Sequence, residues 1–220
     1  MSSIASSAEE ASRTHVPEES LQALVFDCDG TLVDSMPVYW KSWMKICEEY
    51  NLKLTWQRFL DLAGTPVKDI IKILLDEKAQ GEGDHGVSLE EVYEKKKVYG
   101  AKVVDDFGTP AIEVVIDIVR KYHGKLPLAV ASSGNKTHVM KSLEGCDLVK
   151  YFDVIVTIED VSNPKPAPDL FLEACKRLNC DPAFCRGFED ADLGMESLRC
   201  AGMEAVDVRL MAGYPHFTPT

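Results

Sequence analysis

The chain has 220 residues, enough for one compact core and one modest insertion. Its 36 acidic side chains outweigh 24 basic ones, leaving a formal net charge of −12. That balance opposes non-specific binding to nucleic acid or anionic membranes, both of which need basic patches, and no run of about 18 apolar residues offers a membrane span.

Residues 1–20 are rich in Ser, Ala and Glu and lack the apolar stretch of a secretory signal, so they read as an N-terminal tail of low order. The tail's acids argue against a transit peptide. Leu24-Val25-Phe26 then has the composition of a buried parallel strand. It delivers Asp27 and Asp29 to its carboxyl end, and Gly30 allows a sharp turn. Cys28, between them, should point the opposite way and act as a spacer. Two acids at the mouth of a sheet need a counter-charge, and Mg²⁺, with its oxygen ligands, is a natural one. A bare Asp-x-Asp also fits a solvated turn.

Residues 36–104 read as a small all-helical insertion. Trp40, Trp43, Met44 and Cys47 fall on one helical stripe, and Val67, Ile70, Ile71, Leu74 and Leu75 form a second after the Gly64-Thr65-Pro66 break. Gly81 to Gly86 reads as a flexible loop. Ser88 and Glu91 have capping-box spacing, with Leu89, Val92 and Tyr93 facing inward.

From about residue 105 helices and strands alternate. Thr109-Pro110 is expected to open a helix carrying Ile112, Val115, Ile116 and Val119 on one face. Strands follow at Leu126–Ala131, Val154–Val156, a segment ending Gly187-Phe188, and Ala205–Val208, with a helix around Phe171, Leu172 and Cys175. Such alternation predicts an α/β fold with a doubly wound parallel sheet covered on both faces. The core is then 21–35 plus 105–220, and 36–104 is a helical cap. Arg186-Gly187 is poor material for a central strand. The seven cysteines include no Cys-x-x-Cys pair, which suggests reduced packers in an intracellular protein, cytoplasmic or within an organelle. The five histidines show no metal spacing, and His138 reads as a helix-surface residue.

Four polar clusters lie at or near strand ends: Asp27/Asp29, Ser132-Ser133, Lys165 and Glu189/Asp190. Singly, each reads as a cap or a solvated charge. Together they supply a phosphoryl-transfer site. Asp27 suits the nucleophile and Asp29 a general acid and base. Asp190 with Glu189 suits a Mg²⁺ that also touches Asp27, and Ser132 and Lys165 suit phosphate oxygens.

The string Asp27-Cys28-Asp29-Gly30-Thr31-Leu32 resembles the nucleophile motif of the haloacid dehalogenase superfamily. Ser132, Lys165 and Asp190 match its other motifs in order, and the likeness covers about residues 21–210. Asn163-Pro164-Lys165-Pro166-Ala167-Pro168-Asp169 and Gly187-Phe188-Glu189-Asp190-Ala191 look like the beta-phosphoglucomutase-like branch. The stretch from Phe188 to Leu210 is especially similar to fructose-1-phosphatase-like sugar phosphatases.

The resemblance implies a Rossmann-like core with a closing cap that selects the substrate. It also implies Mg²⁺ held by Asp27, the backbone carbonyl of Asp29, and the acids Glu189 and Asp190. Tyr39 stands where the mutases carry a cap His, although it also suits the cap's own core. Val67, with Lys68 beside it, stands where they carry a phosphate-gripping Arg, which favours hydrolysis over mutase chemistry.

The expectation is therefore a monomeric Mg²⁺-dependent phosphatase of a small phosphorylated metabolite, with Tyr39, Thr65 and Lys68 choosing the sugar. No nucleic-acid or membrane partner is expected. A sugar phosphomutase and a non-catalytic binding protein are the alternatives.

Overall fold

The computed structural model describes residues 15–62, 65–82 and 86–217. Five parallel strands form one sheet in the order β3-β2-β1-β4-β5: β1 (Ala23–Phe26), β2 (Leu128–Ala131), β3 (Val154–Val156), β4 (Cys185–Glu189) and β5 (Glu204–Asp207). The chain moves outward from β1 through β2 to β3, then returns to β4 on the other side of β1. The order therefore reverses between β1 and β4, where a doubly wound sheet opens its ligand crevice.

Side chains alternate across the strands and set the two layers. Leu24, Phe26, Leu128 and Val130 pack on Val115, Ile116 and Val119 of α5 (Glu113–Tyr122) and on Val139 and Leu143 of α6 (Lys136–Gly145). The smaller Ala23, Val25, Ala129 and Ala131 face Leu170, Phe171 and Ala174 of α7 (Asp169–Leu178) and Leu198 of α8 (Asp192–Cys200). Cys28 is buried with the first of these layers. All seven cysteines are free. Among the described residues no helix is long and apolar enough to cross a membrane.

Four helices, α1 (Met36–Tyr50), α2 (Trp56–Asp61), α3 (Val67–Glu82) and α4 (Leu89–Phe107), gather around a separate core that includes Trp43, Ile46, Phe59, Ile71, Leu74 and Val92. Ser88 caps α4 by accepting from the Glu91 amide at 3.1 Å, but Glu91 turns its carboxylate to the Tyr50 hydroxyl, so the capping box is only half made.

The structure departs from the sequence reading at several places. Residues 15–20 are not tail: Val16 is buried in the core, and a 3-10 turn spans Glu18–Ser20. Residues 1–14 of the expected tail lie outside the described residues. Gly81 and Glu82 belong to α3 instead of a loop, and residues 83–85 of that loop also lie outside. Thr109-Pro110 opens no helix, because Ala111 bridges to Val33 and the Ile112 amide donates to the Leu32 carbonyl at 2.9 Å. These pairings hold the segment extended until α5 starts.

Arg186-Gly187 is now explained. The Arg186 guanidinium spans to Glu204 of β5 at 2.9 Å and donates to the Val16 carbonyl at 3.0 Å, tying the chain's first described residues to the sheet. At Gly187 a Cβ would lie 2.0 Å from Leu198 Cδ2, so the glycine leaves room for the Leu198 side chain of α8 against β4.

Candidate active site

The loop after β1 is shaped by its own backbone. The Asp27 amide donates to the Phe188 carbonyl at 3.0 Å, and the Cys28 carbonyl accepts from Leu32 and Val33. Gly30 has φ +88°, and a Cβ there would fall 2.2 Å from Asp190 Oδ2. Both conformation and space therefore demand glycine. The Tyr214 hydroxyl, from the C-terminal segment, holds the Gly30 carbonyl at 2.7 Å, and Phe217 further on sets its ring edge-on to Trp56 of α2.

Four of the expected residues meet beneath this loop. Lys165 Nζ lies 2.6 Å from Asp27 Oδ1 and 2.7 Å from Glu189 Oε1, and its side chain is only 1% exposed. The second Glu189 oxygen accepts from the Ala191 amide at 2.6 Å. Gly194 leaves room for that carboxylate, since a Cβ there would lie 1.8 Å from Glu189 Oε1. Asp190 accepts from the Thr31 hydroxyl at 3.1 Å.

Ligand oxygens of Asp27, Glu189 and Asp190 lie within 4.8 Å of one another. Three buried carboxylates thus face one ammonium. Burial pushes Asp27 up to about 7, with Lys165 pulling it back and Glu189 adding to the rise. Burial, then the Glu189 and Asp27 charges, also drives Asp190 well above the usual carboxylate range. Lys165 is held above its ordinary value because the two carboxylates outweigh burial. A set of closely spaced, undercompensated carboxylate oxygens suits a hard divalent cation.

Ser132 and Ser133 follow β2, the strand next to β1. The Ser132 amide extends the ladder to Val156, and its Oγ accepts from the Gly134 amide at 3.0 Å. The Ser133 Oγ is buried and has no hydrogen-bond partner among the described residues, a donor available for an anion.

Asp29 stands apart from the acid cluster. Its Oδ1 receives the Tyr39 hydroxyl at 3.1 Å and lies 3.3 Å from His138 Nε2, and the Tyr39 hydroxyl also contacts that nitrogen. Burial works to raise Asp29, but the charge and hydrogen bond of His138 prevail and lower it. Conversely, His138 is raised: burial opposes its charge, and Asp29 outweighs that effect. The two acids of one loop are thus driven apart, Asp27 up and Asp29 down.

The other cap candidates do not join this cluster. Lys68 pairs with Glu90 at 2.9 Å and lies over the Tyr93 ring, engaged within the cap surface. Thr65 is half-buried, its amide donating to the Leu62 carbonyl at 3.0 Å.

Sequence reasoning missed His138 and Lys96. His138 sits in the first turn of α6, and the Asn135 cap three residues before it was the available signal that this turn faces the sheet's carboxyl edge. Lys96 lies on the buried stripe Val92, Lys96, Tyr99, Val103 of α4, where a lysine is out of place. It is 5% exposed, donates to the Ser42 hydroxyl at 2.8 Å, and lies over the Trp43 ring. Burial lowers it to about 7.

Sheet order and rim chemistry place the molecule among doubly wound α/β enzymes. More specifically, the chain belongs to the haloacid dehalogenase-like hydrolases, whose family model matches residues 24–208. It is 32% identical over 193 residues to the fructose-1-phosphate phosphatase YqaB of Escherichia coli, covering 88% of this chain and 99% of that one. It is 28% identical over 186 residues to a phosphorylated carbohydrates phosphatase of Thermotoga maritima, covering 84% of each. The crystal structure of a beta-phosphoglucomutase from Clostridium difficile has the same fold, with a TM-score of 0.71 at 22% identity over 85% of this chain and 84% of that one.

Proposed function

We propose that this chain is a Mg²⁺-dependent phosphoric monoester hydrolase that removes phosphate from a small sugar phosphate through an aspartyl-phosphate on Asp27. The observation that carries the reading is the Lys165-braced cluster of Asp27, Glu189 and Asp190, with Asp29 held separately at the same rim. The phosphatase relatives support hydrolysis, and their printed substrates support a phosphorylated carbohydrate.

Asp27, Glu189 and Asp190 would hold the metal, joined by the Asp29 carbonyl if this chain follows the superfamily pattern. When bound, the cation supplies positive charge to phosphate oxygens and relieves repulsion between the phosphate and the carboxylates. Lys165 pulls Asp27 toward its ionised form against burial and aims it for in-line attack. The Ser133 hydroxyl and the Ser132 turn suit the transferred phosphoryl group. Asp29, which His138 keeps ionised in the free site, would take up the proton of the bound phosphate monoanion, pass it to the leaving oxygen and then take a proton from the attacking water. The helical cap would shield the rim during the first transfer, and residues 36–104 are joined to the core at both ends, which suits hinge closure.

A mutase must grip a second phosphate. The position expected to bear that cation is Val67, and neighbouring Lys68 is already paired with Glu90. Supplying Mg²⁺ with fructose 1-phosphate or with a beta-hexose 1-phosphate plus its bisphosphate separates the readings. Release of inorganic phosphate is expected; accumulation of an isomeric monophosphate without release would make the chain a mutase. Failure to turn over any member of a phosphorylated-metabolite panel would leave a binding protein on the same fold.

A further inference from the structure

We infer that His138 and Tyr39 form a positioning clamp on Asp29, fixing which carboxylate oxygen handles the transferred proton. The inference rests on the phosphatase reading above, because it concerns the acid and base of that reaction.

Three separate elements converge on one oxygen. His138 comes from α6 of the core and Tyr39 from the first turns of α1 of the cap. Asp29 comes from the loop after β1. Nε2 of His138 and the Tyr39 hydroxyl lie 3.3 and 3.1 Å from Asp29 Oδ1. Their rings rest against each other with centroids 5.5 Å apart. The backbone of His138 is fixed by its amide, which donates to Asn135 Oδ1 at 2.9 Å, and Gly134 leaves room for the ring, since a Cβ there would come within 3.3 Å of Cδ2.

A carboxyl group can serve as acid only through the oxygen that carries the proton. Two donors on Oδ1 hold it as an acceptor, so the transferable proton belongs on Oδ2. In the first transfer an Asp27 oxygen bonds to phosphorus as the bond from phosphorus to the leaving alcohol breaks. Asp29, ionised before substrate binds, takes up on Oδ2 the proton of the phosphate monoanion and passes it to that alcohol oxygen. In the second, water oxygen bonds to phosphorus, its proton passes to Asp29 Oδ2, and the Asp27–phosphorus bond breaks. His138 and Tyr39 exchange no proton in either step. Because one donor belongs to the cap and the other to the core, the clamp would be complete only when α1 sits against α6.

The test separates leaving groups. Wild type, His138→Ala, His138→Gln and Tyr39→Phe are mixed with Mg²⁺ and either fructose 1-phosphate or p-nitrophenyl phosphate under rapid quench. A nitrophenolate departs without an acid, whereas a sugar alkoxide needs one. His138→Ala should phosphorylate itself from the aryl ester at a rate within about threefold of wild type, then hydrolyse the phosphoenzyme about 10- to 100-fold more slowly, giving a burst. On the sugar phosphate its first step should fall by about 10- to 100-fold with KM within about threefold. His138→Gln should recover most of the loss, since its amide N–H reaches the place of Nε2, and Tyr39→Phe should show the same pattern more weakly.

Equal slowing of the first step on both substrates would overturn the clamp, as would wild-type rates in His138→Ala or no advantage of Gln over Ala. A wild-type protein inactive on both substrates would instead overturn the phosphatase reading itself.

Discussion

The rim of the sheet and the cap handle charge in opposite ways. At the rim, Asp27, Glu189, Asp190 and Lys165 are buried together, with more negative than positive charge. In the cap, Lys68–Glu90, Lys95–Glu49 and Arg58–Glu77 are solvated pairs at the surface, and among the described residues the buried polar side chains are Lys96 and its partner Ser42. Solvated pairs contribute little to stability and can be exchanged freely. A crowded buried set is held only where the surrounding fold enforces it, and such sets concentrate at sites of chemistry. The contrast fits the proposed division, in which bonds are made in the core and the cap covers the rim.

The hardest test of that contrast is Asp27→Asn. Turnover should fall by about a thousandfold or more, because an amide is a poor nucleophile, while the melting temperature stays at or above wild type. Appreciable residual turnover would remove Asp27 from the nucleophile's role. Metal removal should have a comparable effect: EDTA should stop phosphate release and Mg²⁺ restore it, with full activity in EDTA excluding the carboxylate cluster as a metal site.

Lys165→Met breaks the brace itself. It leaves Asp27 and Glu189 without their buried partner and should destabilise the fold by about 3–5 kcal/mol, read by denaturant titration. A loss no larger than that of an exposed pair would mean the rim tolerates its charges without enforcement.

Lys96→Met should do the reverse in the cap, because a buried ammonium with no carboxylate partner among the described residues opposes folding. Burial lowers Lys96 to about 7, below its unfolded value, so the unfolded chain binds more protons between these two values. Wild-type stability should therefore rise with pH through that window, relative to the variant. The melting advantage of Lys96→Met should be fully present below pH ~7 and shrink toward pH ~10. An advantage independent of pH would show that Lys96 keeps its charge.

Lys68→Ala should have the smallest effect, leaving melting temperature and activity on sugar and aryl phosphates unchanged, since its ammonium is already engaged by Glu90. A selective rise in KM on sugar phosphates would return Lys68 to the substrate's end.

The order of strands and helices, their amphipathic faces and the four polar clusters were legible from residue types alone. Periodicity reports which face of an element is buried, and a strand hands the next residues to its carboxyl end. Asp27, Lys165, Glu189 and Asp190 could thus be named from position. What stayed hidden were partnerships between distant segments. Arg186 looked misplaced until Glu204 and Val16 lay beside it, and Thr109-Pro110 looked like a helix start until Val33 paired with Ala111.

His138 and Lys96 mark the same boundary. By local pattern one is a surface histidine and the other a break in an apolar stripe. Only the packing of α6 and α1 against the loop after β1 brings His138 to Asp29, and only the closure of α4 on α1 buries Lys96 against Ser42. Sequence determined which residues each element presents, because that depends on short-range geometry. Tertiary structure decided which of them meet, because burial and charge pairing depend here on neighbours 54 and 109 residues away along the chain.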